Sequence, residues 1–359
     1  CVLFVLFVST VAAWADEPAD PSACVQEEDG SPVAHALSDA PDDQLRPLRA
    51  AFFLDDTGAV GPEGILEQTF QPLACSGVFG APLPHQSLWL KFTLSNPAAG
   101  ERTRVIAFME SIFDEVILFE EQGDTLTEYA RTGRTVSFEE KVNTDIKTGF
   151  PIAVQKGEDR VFYLRITGTF APTVTAVIMT VDLFSGWTTL TLIITALFLT
   201  YVATLALFSL IIFRQVEVRF YQYYTLYMLC LFIFSFLYDG WLNKFVGVTL
   251  PVTTITPISE FFAGVGAFVN VQYCRVLLNV HEDSIVWRRL FTILSGVILL
   301  TTGLAVLDPW NLAVPLHLIY FISPLILLCV AIRKIRAGLP QAWPISGSLL
   351  SLSFGLFIA

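Results

Sequence analysis

Ser87-Leu88-Trp89-Leu90-Lys91-Phe92-Thr93-Leu94-Ser95-Asn96-Pro97 puts a large apolar side chain at every second position, with Trp89, Lys91 and Thr93 between them. A period of two sends alternate side chains to opposite faces of an extended chain, so Leu88, Leu90, Phe92 and Leu94 are expected to line a core. The other face carries an aromatic ring beside a cation. Asn96-Pro97 ends the strand.

Similar short segments recur on both sides, broken by Gly, Pro and Asn. Arg104 to Glu110, Asp114 to Glu120, Leu126 to Ala130, Phe150 to Val154, Arg160 to Ile166 and Thr173 to Phe184 read as further strands, with a turn at Gln122-Gly123-Asp124. No helical period of comparable strength interrupts them. The expected fold of 51–184 is therefore all-β, a jelly-roll-like β-sandwich.

Upstream, 16–50 is rich in Pro, Ala and Asp, lacks a sustained apolar period and reads as a flexible lead-in. Val2 to Ala13 is an apolar run of signal-peptide length, and Ala13-Trp14-Ala15 has the small-x-small form of a cleavage site, so 1–15 is expected to be a removed export signal. An uncleaved anchor is the alternative, although about 15 residues fall short of the roughly 20 that a span requires. Because the chain starts at Cys1 and stops at Ala359, each within an apolar run, it is expected to be part of a longer product. Cys24 and Cys75 are the two cysteines of the exported part, and an oxidising compartment would let them pair.

Downstream of Ser185, long apolar runs replace the strands. Trp187 to Phe213, Phe220 to Asn243, Ile258 to about Val280, Ile285 to Leu307, Trp310 to Ile332 and Ala342 to Ala359 each approach or exceed spanning length, the last cut short by the end of the sequence. The expected architecture of 186–359 is thus an all-α polytopic membrane helix bundle. Arg214, Arg219, Arg275, Arg288, Arg289, Arg333, Lys334 and Arg336 flank the first, third and fifth loops, against Lys244 alone in the second. That bias places the odd loops in the cytoplasm and the sandwich outside.

Composition agrees with this division. Of 359 residues, 54% are hydrophobic and 15% charged, and the mean hydropathy of +0.61 is too high for a wholly soluble enzyme. The net charge of −12 is concentrated before residue 186, where 27 acidic residues face 12 basic ones. Such an acidic surface argues against nucleic acid as a partner.

Taken together, these residues resemble the bacterial seven-transmembrane receptors with diverse intracellular signalling modules, the 7TMR-DISM family. The resemblance starts at Ser87 to Pro97 and continues through Phe113-Asp114-Glu115-Val116-Ile117-Leu118-Phe119, Gly133, Phe138, Lys141, Phe150-Pro151-Ile152 and Tyr163-Leu164-Arg165-Ile166. In the membrane part it is carried by Arg219-Phe220-Tyr221-Gln222-Tyr223-Tyr224 and Tyr238-Asp239-Gly240. It implies seven helices, an outer domain similar to carbohydrate-binding jelly rolls, and a cytoplasmic kinase, cyclase or phosphatase module following the helices. It also implies a bacterial inner membrane, a periplasmic sandwich and dimerisation. Lys91 and Lys141 stand where many members carry arginine, and lysine lacks the planar fork that binds carboxylates in two-pronged fashion.

The candidate ligand-binding residues are Trp89, Lys91, Lys141 and Arg165. An aromatic plate beside a cation suits a sugar ring or a carboxylated metabolite. The structural alternative has Trp89 packing on the second face of the sheet, Lys91 in solvent, Arg165 in an ion pair and Lys141 on an ordinary loop. Within the spans, Asp239, Glu260 and Asn270 are candidates for coupling between helices or lining a cavity. The four histidines show no metal-ligand spacing, and no nucleophile elbow, His-Glu-x-x-His or phosphate loop occurs, so neither catalysis nor a cofactor is expected. A small extracellular ligand and the lipid bilayer are the expected partners. Competing readings are a transporter or accessory subunit with an extracellular binding domain, an adhesive membrane protein and, more distantly, an intramembrane hydrolase.

Overall fold

The computed structural model describes residues 35–37, 45–71, 77–80, 85–97, 100–109, 113–137, 139–142, 147–169, 173–238, 240–248, 250–282, 284–339, 342, 343 and 346. They fall into two compact units, one within 18–196 and 236–255, the other within 197–235 and 256–359.

Among the described residues, eleven strands lie in the first unit: His35–Ala36 (β1), Arg46–Pro47 (β2), Ala51–Asp55 (β3), Val78–Gly80 (β4), Ser87–Ser95 (β5), Arg102–Phe108 (β6), Phe113–Gln122 (β7), Thr125–Thr132 (β8), Gly149–Val154 (β9), Asp159–Thr169 (β10) and Thr173–Met179 (β11). One sheet runs β1-β5-β10-β7-β8, with β3 sharing the β1 edge of β5; the other runs β2-β11-β6-β9, with β4 sharing the β2 edge of β11. From β3 to β7 the chain changes sheet at every step, which is the connectivity a jelly roll requires.

The period of two in β5 now has its physical meaning. Leu88, Leu90, Phe92 and Leu94 join Val116, Leu118, Phe162, Leu164 and Ile166 of the same sheet, and meet Ile106, Phe108, Phe150, Ile152, Val174 and Ile178 of the other. This is the central core between two sheets.

Three boundaries differ from the sequence reading. First, 16–50 is not wholly a loose lead-in. Among its described residues, β1 pairs in parallel with the end of β5, β2 pairs with β11, and Leu37, Leu48 and Ala50 are buried in the core. Two-residue pairings are too short to leave a period. Second, the run Thr173 to Phe184 is not one strand. Thr180 follows β11 and caps a helix, its hydroxyl accepting from the Leu183 amide at 3.2 Å and its carbonyl from the Phe184 amide at 3.0 Å. Apolarity continues across this cap, so hydropathy alone does not register the switch. Third, the helix expected from Ile258 begins at Val252 and carries Pro257 inside its first turns.

The long helices are Val181–Val216, Arg219–Tyr238, Val252–Leu277, Ile285–Leu307 and Pro309–Arg336, here α2 to α6; the single turn Pro62–Ile65 is α1. Among the described residues, five helices are long and apolar enough to cross a membrane. The expected sixth segment lies outside the described residues except for Ala342, Trp343 and Ser346. At a rise of 1.5 Å per residue, the 36 residues of α2 extend about 54 Å, well beyond the roughly 30 Å of a hydrocarbon core. Its first turns accordingly serve the sandwich. Phe184, with Leu183 and Trp187, packs on Val105, Ala107, Val177 and Met179, the outer face of the second sheet.

In the second unit, Val271, Cys274 and Leu278 of α4 and its end pack with Phe291, Leu294 and Ile298 of α5 and Leu327, Val330 and Ala331 of α6. Leu197, Leu207, Phe208 and Leu300 stay exposed, as lipid-facing side chains do.

Candidate functional site

The outer face of the first sheet is where Trp89, Lys91 and Arg165 meet. Strand register sets Trp89 directly across from Arg165 and Lys91 across from Tyr163, and continues from Arg165 to Ile117 and from Tyr163 to Phe119. Trp89 is 0% exposed and stacks on Phe119 with ring centroids 5.6 Å apart; Ile65 of α1 closes the same cluster. The indole is thus a buried layer of a second small core, not a surface plate.

Arg165 places its Cζ 5.8 Å from the Trp89 ring and donates from Nη2 to the Gly58 carbonyl at 2.9 Å. The carboxylate expected to pair with it does not occur among the described residues. Lys91 Nζ lies 5.0 Å over the Tyr163 ring and 4.0 Å from the Glu121 carboxylate. Burial, then the neighbouring Glu121, pushes the Tyr163 phenol above its ordinary range. Lys91, Tyr163 and Glu121 therefore form a polar corner beside an aromatic floor.

A cover formed by residues 57–71 lies over this floor. Phe70 meets Tyr163 edge-on at 5.7 Å and Phe53 at 6.1 Å, while Phe52 and Gln71 exchange backbone hydrogen bonds of 2.9 and 2.8 Å. Asp55 latches its near end. That carboxylate accepts from the Thr57 amide (2.9 Å), the Thr57 hydroxyl (2.7 Å), the Val60 amide (2.8 Å) and the Ser87 hydroxyl (3.2 Å). Burial alone would raise its carboxyl, but the bonds from Thr57, Val60 and Ser87 outweigh it and hold it below the ordinary value. Gly58, at φ +64°, turns where a Cβ would stand 2.6 Å from the His85 carbonyl oxygen. Beneath the cover, Trp89 Nε1 and Arg165 Nε are buried donors with no hydrogen-bond partner among the described residues. Each such orphan costs on the order of 1–3 kcal/mol. Both are donors, so an acceptor is what would complement them, while the nearby Glu121 Oε2 is a buried acceptor with no hydrogen-bond partner among the described residues.

Lys141 is not part of this group. Its backbone bridges Arg131 of β8, three strand spacings or about 14 Å from β5, and burial followed by the nearby Arg134 holds its ammonium below the usual lysine range.

Two residues given no role in the sequence reading, Asp114 and Arg134, join the sandwich to the segment 236–255. Asp114 opens β7, and its carboxylate accepts the amide of Val252, the first residue of α4. Arg134, 5% exposed, donates from Nη2 to the carbonyls of Leu237 (3.2 Å) and Tyr238 (2.7 Å), the last two residues of α3. Burial, against the pull of the Val252 amide and Arg134, keeps the Asp114 carboxyl above its ordinary range. The available signal was their position at and beside Phe113-Asp114-Glu115 and Gly133, motifs that drew attention to the segment without naming a partner.

Of the candidates within the spans, Asp239 lies outside the described residues. Glu260 is 1% exposed, and its backbone carbonyl accepts from Tyr320 at 3.5 Å. Asn270 Oδ1 accepts from Cys274 Sγ one turn on, at 3.9 Å, whereas Gln272, not singled out above, reaches Ser295 of α5 at 2.7 Å. Cys24 and Cys75 also lie outside the described residues. No group of three or more His, Cys, Asp or Glu side chains suited to a metal occurs among those described.

Comparison with known families adds two matches. Residues 49–180 match the model of 7TMR-DISM extracellular 2, and residues 165–359 match that of 7TM diverse intracellular signalling. No curated protein matches the chain.

Proposed function

Since the chain belongs to the 7TMR-DISM family of transmembrane sensor receptors, we propose that its sandwich binds a small extracellular ligand under the 57–71 cover and thereby regulates a cytoplasmic effector. In this reading the sandwich is periplasmic, the helices cross a bacterial inner membrane, the receptor is dimeric, and the effector is a histidine kinase or nucleotide cyclase module following the helices. The ligand is a carboxylated metabolite or a sugar.

The observation that supports it most directly is the pair of buried donors without partners, Trp89 Nε1 and Arg165 Nε, next to Lys91 and Glu121. A carboxylate or sugar brings the acceptor oxygens that such donors lack, and its binding energy would offset opening of the cover. Lys141 joins the ligand only if the ligand reaches β8. Glu260 and Asn270 would then belong to the responding helices.

The test is a thermal-shift screen of the purified chain in nanodiscs against a panel of small carboxylates and mono- and disaccharides. Stabilisation by one member that disappears in Arg165→Gln and Lys91→Gln supports the site. Stabilisation that survives both substitutions places binding elsewhere. Uptake of that same solute into proteoliposomes would favour the transporter reading instead.

A further inference from the structure

We propose that Asp114 and Arg134 form the joint through which the state of the sandwich face is transmitted to α3 and α4. The proposal rests on the receptor reading above and adds to it the residues that carry the signal.

The charges match what each helix end requires. Backbone dipoles leave partial positive charge at a helix N-terminus and partial negative charge at its C-terminus. Asp114 is at the start of α4 and Arg134 at the finish of α3, so each bears the favourable sign. The two are also tied to one another, because the Arg134 amide donates to the Phe113 carbonyl at 3.0 Å and that of Thr135 to the Asp114 carbonyl at 3.0 Å.

The space for this joint is made by two glycines. At Gly168, φ +57°, a Cβ would lie 2.1 Å from the Asp114 carboxylate; at Gly133, φ +138°, it would lie 2.2 Å from the Asp114 carbonyl oxygen. Any other residue at either place would displace Asp114 or strain the backbone.

The strands that hold the joint are also those that line the candidate ligand face. From Asp114, β7 runs on to Ile117, Phe119 and Glu121, and β10 runs from Arg165 and Tyr163 to Gly168. Asp114 to Phe119 is about 17 Å along one strand. These two strands pair with each other along most of their length, so they move as a plate. When the cover opens and the Trp89–Phe119 stack shifts, that plate carries the displacement to the Val252 amide and the α3 carbonyls. A purely static anchor would share the same hydrogen bonds but would not respond to the cover.

That difference can be measured without a ligand. Asp55→Asn serves as the probe, since it weakens the latch of the cover, and hydrogen exchange is followed in the full chain in nanodiscs. The expected result is faster exchange in 57–71 together with at least about a threefold change in 240–255. In Asp55→Asn/Arg134→Gln, compared with Arg134→Gln alone, the 57–71 response persists and the 240–255 response falls to unity. Asp114→Asn should reduce it in part. An undiminished 240–255 response in Arg134→Gln, or none when the cover has opened, would overturn the proposal. Should Asp55→Asn leave the cover closed, Trp89→Ala replaces it as the perturbation with the same two outcomes. Thermal unfolding of each variant confirms that it is folded. No ligand enters this test, so the joint can fail while the thermal-shift screen succeeds, and the reverse.

Discussion

Replacing Asp55 by asparagine should release the 57–71 cover while leaving the sandwich intact. The carboxylate accepts two bonds on Oδ1, both from Thr57, and two on Oδ2, from the Val60 amide and the Ser87 hydroxyl. Asparagine keeps one acceptor oxygen and turns the other position into a donor. With Thr57 still served, the new NH2 faces the Val60 amide, which cannot reverse; the Ser87 hydroxyl can rotate and accept. The net loss is one amide bond to a charged acceptor, and the three that remain lose their charge assistance. Bonds to charged groups contribute about 1.5–3 kcal/mol each, so the cover should lose roughly 2–3 kcal/mol. At about 1.4 kcal/mol per decade, amides of Val60, Ile65, Gln68 and Gln71 should exchange about 30- to 150-fold faster. Amides of Phe92 and Leu164, in the paired β5 and β10, serve as the internal reference and should not change. Exchange in 57–71 within about twofold of the native chain would refute the latch. So would equal acceleration throughout β5 and β10, since that is global loosening.

The same carboxylate gives a pH prediction. Because its folded pKa lies below the unfolded value near 3.8, the stability it contributes is present above that value and is lost as pH falls through the folded pKa. Acid unfolding monitored in the native chain and in Asp55→Asn should show a flatter acid limb in the variant; identical limbs would assign the acid sensitivity to other groups. Trp89→Ala removes a fully buried ring stacked on Phe119 and should cost about 3–5 kcal/mol in denaturant unfolding, whereas a loss under about 1 kcal/mol would mean that the floor collapses freely. Gly168→Ala drives a methyl into the Asp114 carboxylate from a left-handed backbone. Its exchange signature should be faster exchange of Val252 with β5 protected, and unaltered exchange at Val252 would show that Asp114 can retreat without loss.

Local pattern was enough for much of this architecture. Alternation in Leu88 to Leu94, a change of period after the strands and runs of spanning length depend on residues a few positions apart, and these survive in any sequence whose elements are amphipathic or apolar. So the two-part organisation, the central core face and five of the helices were legible. Trp89 and Lys91 were legible as neighbours on one face, with Arg165 as a candidate inside an apolar strand.

What covers that face was not. Trp89 is buried because Ile65 and Phe70, on a segment with no strong period, fold back onto it, and the same alternation would be seen were the face open to solvent. The short strands of 35–47 and the helix start at Val181 were likewise decided by a partner strand and a single threonine hydroxyl. Asp114 and Arg134 show the limit most plainly. Their partners lie 138, 103 and 104 positions away, and a charged residue at a strand end looks like any solvated one until those helix ends arrive. Periodicity is a property of neighbours in the chain, so it specified the elements. The burial of the Trp89 face and the bonds of Asp114 and Arg134 to the helix ends depend on groups that only the completed fold brings within hydrogen-bonding reach.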